Sequence, residues 1–277
     1  MITIKPFGGL GNRMRVLHSV LSLKYERRLN VKILWEHSRS FNCSISDLFI
    51  VPEDIAVQEF TMSLEDRLKR KITENFRKGP LSRYKYDLIL REKDIIEMRN
   101  NNYDFLNLLN YKSVLIETCQ WFYTGDEGFL YLNPIGQISD QVQQITRNFN
   151  KQTIGIHVRR TDHTLSIKAS PLSEFKKRMQ FEIDRNKNTM FFLSTDSEEV
   201  ENELKVEFKN RILTYENKEL SRNSSKGIKD AFVDMLCLSH TNKIYGSYHS
   251  TFSHIASLMN DIELRVINVL PKQKEAN

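Results

Sequence analysis

Apolar residues in this chain follow two rhythms, and their alternation lays out the expected elements. Residues 2–7 form a short strand-like run, residues 12–29 repeat apolar positions at helical spacing, and residues 31–36 return to the strand pattern. That β-α-β opening predicts a parallel sheet flanked by helices. The middle is less regular: 61–78 and 92–109 read as helices, 114–117 as a buried strand and 121–128 as a loop. From residue 153 the pattern is clear again. Strands at 153–159, 190–193, 211–215, 243–245 and 264–269 are separated by helices at 171–185, 197–208, 227–240 and 251–260, with Pro171 suited to a first helical turn. Repeated β/α units of this kind predict a Rossmann-like domain. The fold class is α/β, with an N-terminal lobe at 1–140 and a C-terminal lobe at 141–277, and no internal repeat or low-complexity segment.

Composition narrows the classes. Of 277 residues, 40% are hydrophobic and 27% charged, which fits a soluble globular chain. No apolar run approaches the roughly 20 residues that span a bilayer. The opening residues 1–5 lack the basic and apolar regions of a signal peptide. Cys43, Cys119 and Cys237 are far apart and have no zinc spacing, so a reducing compartment, the cytoplasm, is expected.

The net charge of +6 is uneven, because residues 61–93 hold ten Lys/Arg against five Asp/Glu. Leu64, Leu68, Ile72 and Phe76 recur there every fourth residue, as in an amphipathic helix with a basic outer face. Two readings stay open: a solvated helix, or a surface for an anionic partner such as a lipid-linked acceptor or the inner membrane leaflet. Nucleic acid is not expected, since no aromatic-interleaved basic strand accompanies the charge.

Candidate chemistry gathers at the ends of the expected strands. Strand 153–159 runs into His157-Val-Arg159-Arg160-Thr-Asp162. Arginine offers a planar fork of donors matched to phosphate oxygens and stays charged at neutral pH. Alternation sends His157 and Arg159 to one face and Arg160 to the other; His157 reads equally as a hydrogen-bonded core residue. Near the N-terminus, Gly8-Gly9-Leu10-Gly11-Asn12-Arg13-Met14-Arg15 follows the first strand. It lacks the third glycine of a dinucleotide fingerprint and the Gly-Lys-Ser/Thr of a Walker loop. It reads either as a plain strand–helix turn or as a place where backbone N–H groups meet an anion. Together the two strand ends suggest one diphosphate-bearing ligand held between two lobes.

Ser194-Thr195-Asp196 and Gly246-Ser-Tyr-His-Ser250-Thr251-Phe252-Ser253 end two further strands, with helix capping as the alternative to ligand binding. Asp234 lies on the helix before the second of them and reads either as a contact to a base or ribose or as a plain helix carboxylate. No D-x-D pair, zinc motif or G-x-S-x-G elbow is present, so neither a metal-held diphosphate, a catalytic zinc nor an α/β-hydrolase is expected.

In this order, Gly-Gly-Leu-Gly-Asn-Arg, His-Val-Arg-Arg-Thr-Asp, Ser-Thr-Asp and Ala231-Phe-Val-Asp234-Met-Leu through Ser250-Thr-Phe-Ser253 resemble the fucosyltransferase superfamily, which spans α1,2-, α1,6- and protein O-fucosyltransferases. The likeness covers the C-terminal half and roughly the first 50 residues. His-Val-Arg-Arg-Thr-Asp looks closest to the α1,6 branch, although the chain is too short for that branch's extra domains. The resemblance implies a GT-B fold with two Rossmann-like lobes and a cleft, GDP-fucose as donor, a glycan acceptor, inversion at the anomeric carbon, and no metal or other cofactor. By motif match Arg159 would stabilise the leaving GDP. Asn12 would line the cleft with the backbone of Gly9 and Gly11. Asp196 and Asp234 would hold the nucleoside, and Ser250, Thr251 and Ser253 the phosphates, with His157 and Arg160 in the same donor-binding set. Asp162, Glu36 and His37 are candidate bases by position, and a dissociative reaction would need no strong base. Surface-polysaccharide synthesis is the expected setting. Three other readings compete: the same fold with another nucleotide sugar, a nucleotide-binding oxidoreductase, and a binding module without activity.

Overall fold

The computed structural model describes residues 1–61, 86–125, 128–161, 164–221 and 223–270. The basic helix expected at 61–78 lies outside them apart from Thr61, as do part of the 121–128 loop and the candidate base Asp162. The chain divides into two compact units, Met1–Ile135 with Ser221–Lys229, and Gly136–Leu220 with Asp230–Asn277. The return of 221–229 to the first unit has a local cause: the Ser225 hydroxyl donates to Asp47 at 3.1 Å and meets the buried Cys43 thiol at 3.4 Å.

The first unit is built on five parallel strands, β1 (Ile2–Pro6), β2 (Val31–His37), β3 (Ile55–Thr61), β4 (Leu88–Arg91) and β5 (Val114–Thr118), ordered β3-β2-β1-β5-β4. Central β1 is buried along its whole length, as a strand covered on both faces should be. The helix Leu10–Arg27 follows it directly. β3 and β4 were not expected. Both are edge strands, and each buries only one residue fully, so neither carries the apolar signature of a central strand. The helix expected at 92–109 is broken. Glu92–Asn100 ends where Asn102 turns left-handed at φ 52°, and Asp104 then caps a separate 3-10 turn, Phe105–Asn110, by accepting the Leu106 N–H.

The second unit repeats the plan with β6 (Thr153–Val158), β7 (Met190–Thr195), β8 (Ile212–Leu213), β9 (Lys243–Ser247) and β10 (Glu263–Ile267), ordered β10-β9-β6-β7-β8 and again all parallel. On one face Ile154, Ile156, Phe191 and Leu193 pack against Phe175, Met179 and Ile183 of the helix Leu172–Arg185. That four-residue spacing is one stripe of a helix. On the other face the helix Ser225–Ser239 presses on β6, where a Cβ on Gly155 would stand 2.9 Å from a Leu238 methyl. Pro171 sits just before the first turn of its helix, and strand 211–215 contracts to Ile212–Leu213. β6 ends at Val158, so Arg159 and Arg160 lie beyond the strand; the alternation that would send them to opposite faces stops short of them.

One carboxylate sits on the core side of the helix Leu172–Arg185. Glu182 accepts from Lys243 Nζ and from the Tyr245 hydroxyl, each at 2.6 Å. Burial alone would raise its pKa, but these hydrogen bonds outweigh burial and leave it below the ordinary 4.5. A lowered carboxylate contributes stability that is complete above its unfolded value and is lost as pH falls through the folded one. Chemical denaturation compared at about pH 6 and about pH 3 should therefore show a smaller acid loss for Glu182→Gln than for the parent chain.

Candidate functional site

Strand order locates the site in the second unit. From β6 the chain moves one way to β7 and β8, then crosses to the other side of β6 for β9 and β10. Such a switch point opens a crevice at the carboxyl ends of the two strands involved, here β6 and β9. The arginine pair follows β6 and the serine-rich loop follows β9. The Ser247 hydroxyl closes the seam, donating to the His157 carbonyl at 3.2 Å while accepting the Arg159 N–H at 3.0 Å.

The arginine loop is fixed on its other side by Asp196. Its carboxylate accepts the Arg160 N–H at 2.7 Å, the Thr161 N–H at 3.3 Å and the Thr161 hydroxyl at 2.7 Å. These bonds hold the loop in place, a task the sequence does not reveal for Asp196. Arg160 turns inward. Its Nη1 donates to the carbonyls of Arg159 and Ser170 at 3.0 and 3.1 Å, and burial holds its pKa below the usual arginine value. Arg159 remains half-buried. Ser170, fully buried, links three parts of the site: its hydroxyl donates to the Ile267 carbonyl at 2.6 Å and accepts the Tyr248 N–H at 2.8 Å, while its carbonyl takes Arg160.

After β9 the chain turns left-handed at His249, φ 54°, and enters the helix Thr251–Met259 with Ser250 at its cap. The Ser250 and Ser253 hydroxyls are buried and make no hydrogen bond within the protein. An unpaired buried hydroxyl costs roughly 1–3 kcal/mol, so two beside one helix N-terminus are notable. Hydroxyls of this kind, with the helix dipole and the N–H groups of a first turn, suit an anion. A cavity of about 440 Å³ opens there, lined by Tyr248, Ser250, Thr251, His254, Leu264 and Asn268 among others. Gly246 lets this helix lie close to β9, since a Cβ there would meet Ser253 Oγ at 2.5 Å. His157 is buried in β6 with its ring stacked on Phe252 at 4.9 Å, a packing role alongside whatever it lends a ligand.

Asp234 is buried within a charged cluster. One carboxylate oxygen accepts from Ser194 at 3.0 Å and from Lys218 at 3.1 Å, and Lys218 also reaches Glu201 at 3.3 Å. The other oxygen, Oδ1, has no partner. Burial raises the Asp234 pKa against the pull of Lys218.

In the first unit the glycine turn leads from β1 into Leu10–Arg27. Gly8 adopts φ 83°, a left-handed conformation that suits glycine, and Asn12, half-buried, lies against it. Gly9 caps the helix with open space over its α-carbon, and Gly11 is buried in the first turn. Arg13, passed over in the sequence, organises this turn. Its Nε donates to the Gly8 carbonyl at 3.1 Å and its Nη2 to the Glu36 carbonyl at 2.8 Å, while its guanidinium lies 4.5 and 4.1 Å from the Trp35 and Phe41 rings. Burial pulls its pKa down to about 10, still charged at neutral pH. Glu36 pairs with the buried Lys5 at 3.1 Å, and His37 with Glu59 at 2.6 Å. Among the described residues no three His, Cys, Asp or Glu side chains form a metal-binding group, and no helix is long and apolar enough to cross a membrane.

No protein-family model matches the chain, and no curated protein matches it in sequence. Solved structures do. The NodZ α-1,6-fucosyltransferase, described from Bradyrhizobium and solved after soaking with GDP-fucose, superposes with a TM-score of 0.60 at 17% identity, covering 93% of this chain and 92% of that one. A mutant of Arabidopsis thaliana FUT1 in complex with GDP gives 0.58 at 14% identity, over 96% and 69% of the two chains. POFUT1 in complex with GDP gives 0.56 at 12% identity, over 97% and 98%. The chain has the fold these fucosyltransferases share.

Gly246→Ala tests the anion site. The added methyl must push the Thr251–Met259 helix off β9, so pyrophosphate affinity read by calorimetry should fall by about tenfold, or 1.4 kcal/mol, with unfolding free energy lower by about 1–3 kcal/mol. Unchanged affinity would remove the helix start from the site.

Proposed function

We propose that this chain is a GDP-fucose-dependent fucosyltransferase that moves L-fucose to a glycan acceptor, inverting the anomeric centre without a metal, with its two units as the lobes of a GT-B enzyme. The observation that carries the reading is the seam at Ser247. That residue accepts the Arg159 N–H, and its carbonyl accepts the Ser250 N–H at 3.3 Å, so the arginine loop and the helix start with its unpaired hydroxyls share one anchor. The likeness in fold to fucosyltransferases solved with GDP and GDP-fucose supports the donor assignment.

The chemistry follows from charge. As the bond from the anomeric carbon to the diphosphate breaks, its electron pair collects on the leaving phosphate oxygen and the sugar becomes oxocarbenium-like. A fixed guanidinium at Arg159 gains most at that moment, which is the condition for lowering a barrier. Ser250, Thr251, Ser253 and the helix N-terminus bind the phosphates. The buried Asp234, with Oδ1 unpaired, is suited to an N–H donor of the nucleobase. The glycine turn with Asn12 serves the acceptor side.

Two measurements test this. Calorimetry with GDP, UDP, dTDP and NAD, without added metal, should show GDP preferred; UDP or dTDP preference would keep the fold and discard fucose, and NAD binding would discard the transferase. Arg159→Ala should lower turnover of GDP-fucose by about 10²–10³ with the protein still folded; near-normal turnover would remove Arg159 from the reaction.

A further inference from the structure

The second unit carries another cavity, at the end of its sheet opposite the arginine and serine loops. Its walls are the segments that lead into three neighbouring strands: 150–152 before β6, 187–190 running into β7, and 210–211 before β8. β6 is six residues long, so about 20 Å of strand separates this opening from the crevice at the carboxyl ends. The volume is about 540 Å³. That falls within the range of about 300–1,000 Å³ usual for small-molecule sites.

Hydrogen bonds lace the three segments together. Arg211, half-buried, donates through Nη1 to the carbonyls of Lys187 and Thr189 at 2.7 and 3.0 Å. The Asn150 amide donates to the Asn188 carbonyl at 3.1 Å, and the Asn242 amide to the Lys151 carbonyl at 3.3 Å. Two Asx turns tighten the tips: Asn150 Oδ1 accepts the Gln152 N–H at 2.7 Å, and Asn186 Oδ1 accepts the Asn188 N–H at 2.9 Å. The walls are set before a ligand arrives, which spares binding the cost of ordering them.

The lining has one sign of charge. Lys151, Lys187 and Arg211 contribute three cations, and no Asp or Glu lines the cavity. Lys187 does have Asp184 at 3.5 Å, a pair exposed on both sides. Beside the cations stand the carboxamides of Gln152, Asn188 and Asn210, exposed and bonded to no other side chain or backbone group among the described residues. A carboxamide both donates and accepts, as a sugar hydroxyl does, whereas an ionised phosphate only accepts. No aromatic ring lines the cavity for a nucleobase to stack on. Met190 is the single apolar side chain, too little surface to seat a lipid layer. Cations for a carboxylate and amides for hydroxyls make the complement of this lining an acidic sugar.

We propose that this cavity binds an acidic saccharide, with its carboxylate on Lys151, Lys187 and Arg211 and its hydroxyls on Gln152, Asn188 and Asn210. The site belongs to the second unit alone and does not rest on the transferase reading.

Calorimetry on the full chain at low salt, with a trimer of galacturonic acid as probe, tests this. The trimer should bind, and more weakly as salt is added. Its methyl ester, which keeps the sugar hydroxyls and lacks the charge, should bind about tenfold less tightly. Lys151→Gln combined with Lys187→Gln should lower trimer affinity about tenfold. Both lysines are exposed and lie at the far end of the strands, so the thermal midpoint and pyrophosphate affinity should not change. Asn188→Ala combined with Asn210→Ala, which removes amides and no charge, should weaken the trimer severalfold. No heat from the trimer, equal binding of the ester, or undiminished binding in either double variant overturns the site. Inorganic phosphate or phosphatidylglycerol vesicles held as tightly as the trimer overturn the saccharide assignment.

Discussion

One hydroxyl closes the seam on which the candidate site depends. Ser247 ends β9 and reaches across to β6, bonding the carbonyl of the last inward histidine and the N–H of the first arginine beyond the strand. Each such bond contributes only about 1 kcal/mol net. Its weight here is geometric. At the switch point the β6–β9 ladder stops at His157 and Gly246, one residue short of either strand's end, and the Ser247 hydroxyl bonds just past it. Ser170 gives the arginine and serine loops a second link, its carbonyl accepting from Arg160 and its hydroxyl accepting the Tyr248 N–H. Asp196 and Ser170 complete the frame from the β7 and β10 sides. Three short polar side chains thus set a loop whose long arginines face opposite demands. Arg160 is spent on carbonyls, and Arg159 stays half-buried.

Buried charge is handled the same way in both units. Lys218 sits between Asp234 and Glu201, Lys5 between Glu36 and Glu117, and Arg13 between two aromatic rings and two carbonyls. Removing an ion from water costs several kcal/mol that an ion pair only partly repays, so these groups add little net stability. What they add is position. The Arg13 contacts lock a left-handed Gly8 and the end of β2 into one arrangement, and the Lys218 contacts hold one face of Asp234 while leaving Oδ1 unpaired. A polar atom left unpaired in a buried cluster is a cost retained, and a ligand donor is the ordinary way to recover it.

Much of this was legible in the sequence, and the limits have physical causes. Central strands β1 and β6 announce themselves because burial on both faces demands unbroken apolar runs, and the motifs that follow them inherit that clarity. Edge strands β3 and β4 bury one residue fully apiece, so no periodicity marks them. Arg159 stands out as a candidate because a charge at the end of an apolar strand has few structural excuses. Arg13, Ser170 and Ser247 were not, since their partners are backbone atoms many residues away and backbone atoms leave no trace in composition. Asp196 looked like a helix cap or a ligand group, yet Ser197 is the cap, accepting the Val200 N–H at 3.3 Å, and Asp196 serves the neighbouring loop.

The two sheets place different chemistry at one topological position. In each, the first strand in sequence is the central one, its first crossover goes to one side, and the strand on its other side belongs to the later half of the unit. In each, the motif comes directly after that first strand. After β1 it is a glycine turn, where backbone groups can approach a ligand and the fixed cation is buried beneath the chain. After β6 it is an arginine pair, where a side-chain cation stands at the strand end. A diphosphate leaving group calls for mobile-free positive charge at the reacting atom, which backbone N–H groups alone supply only in part. On the proposed transfer, Arg159 beyond β6 would meet that demand, whereas the cation after β1, Arg13, lies buried under two rings.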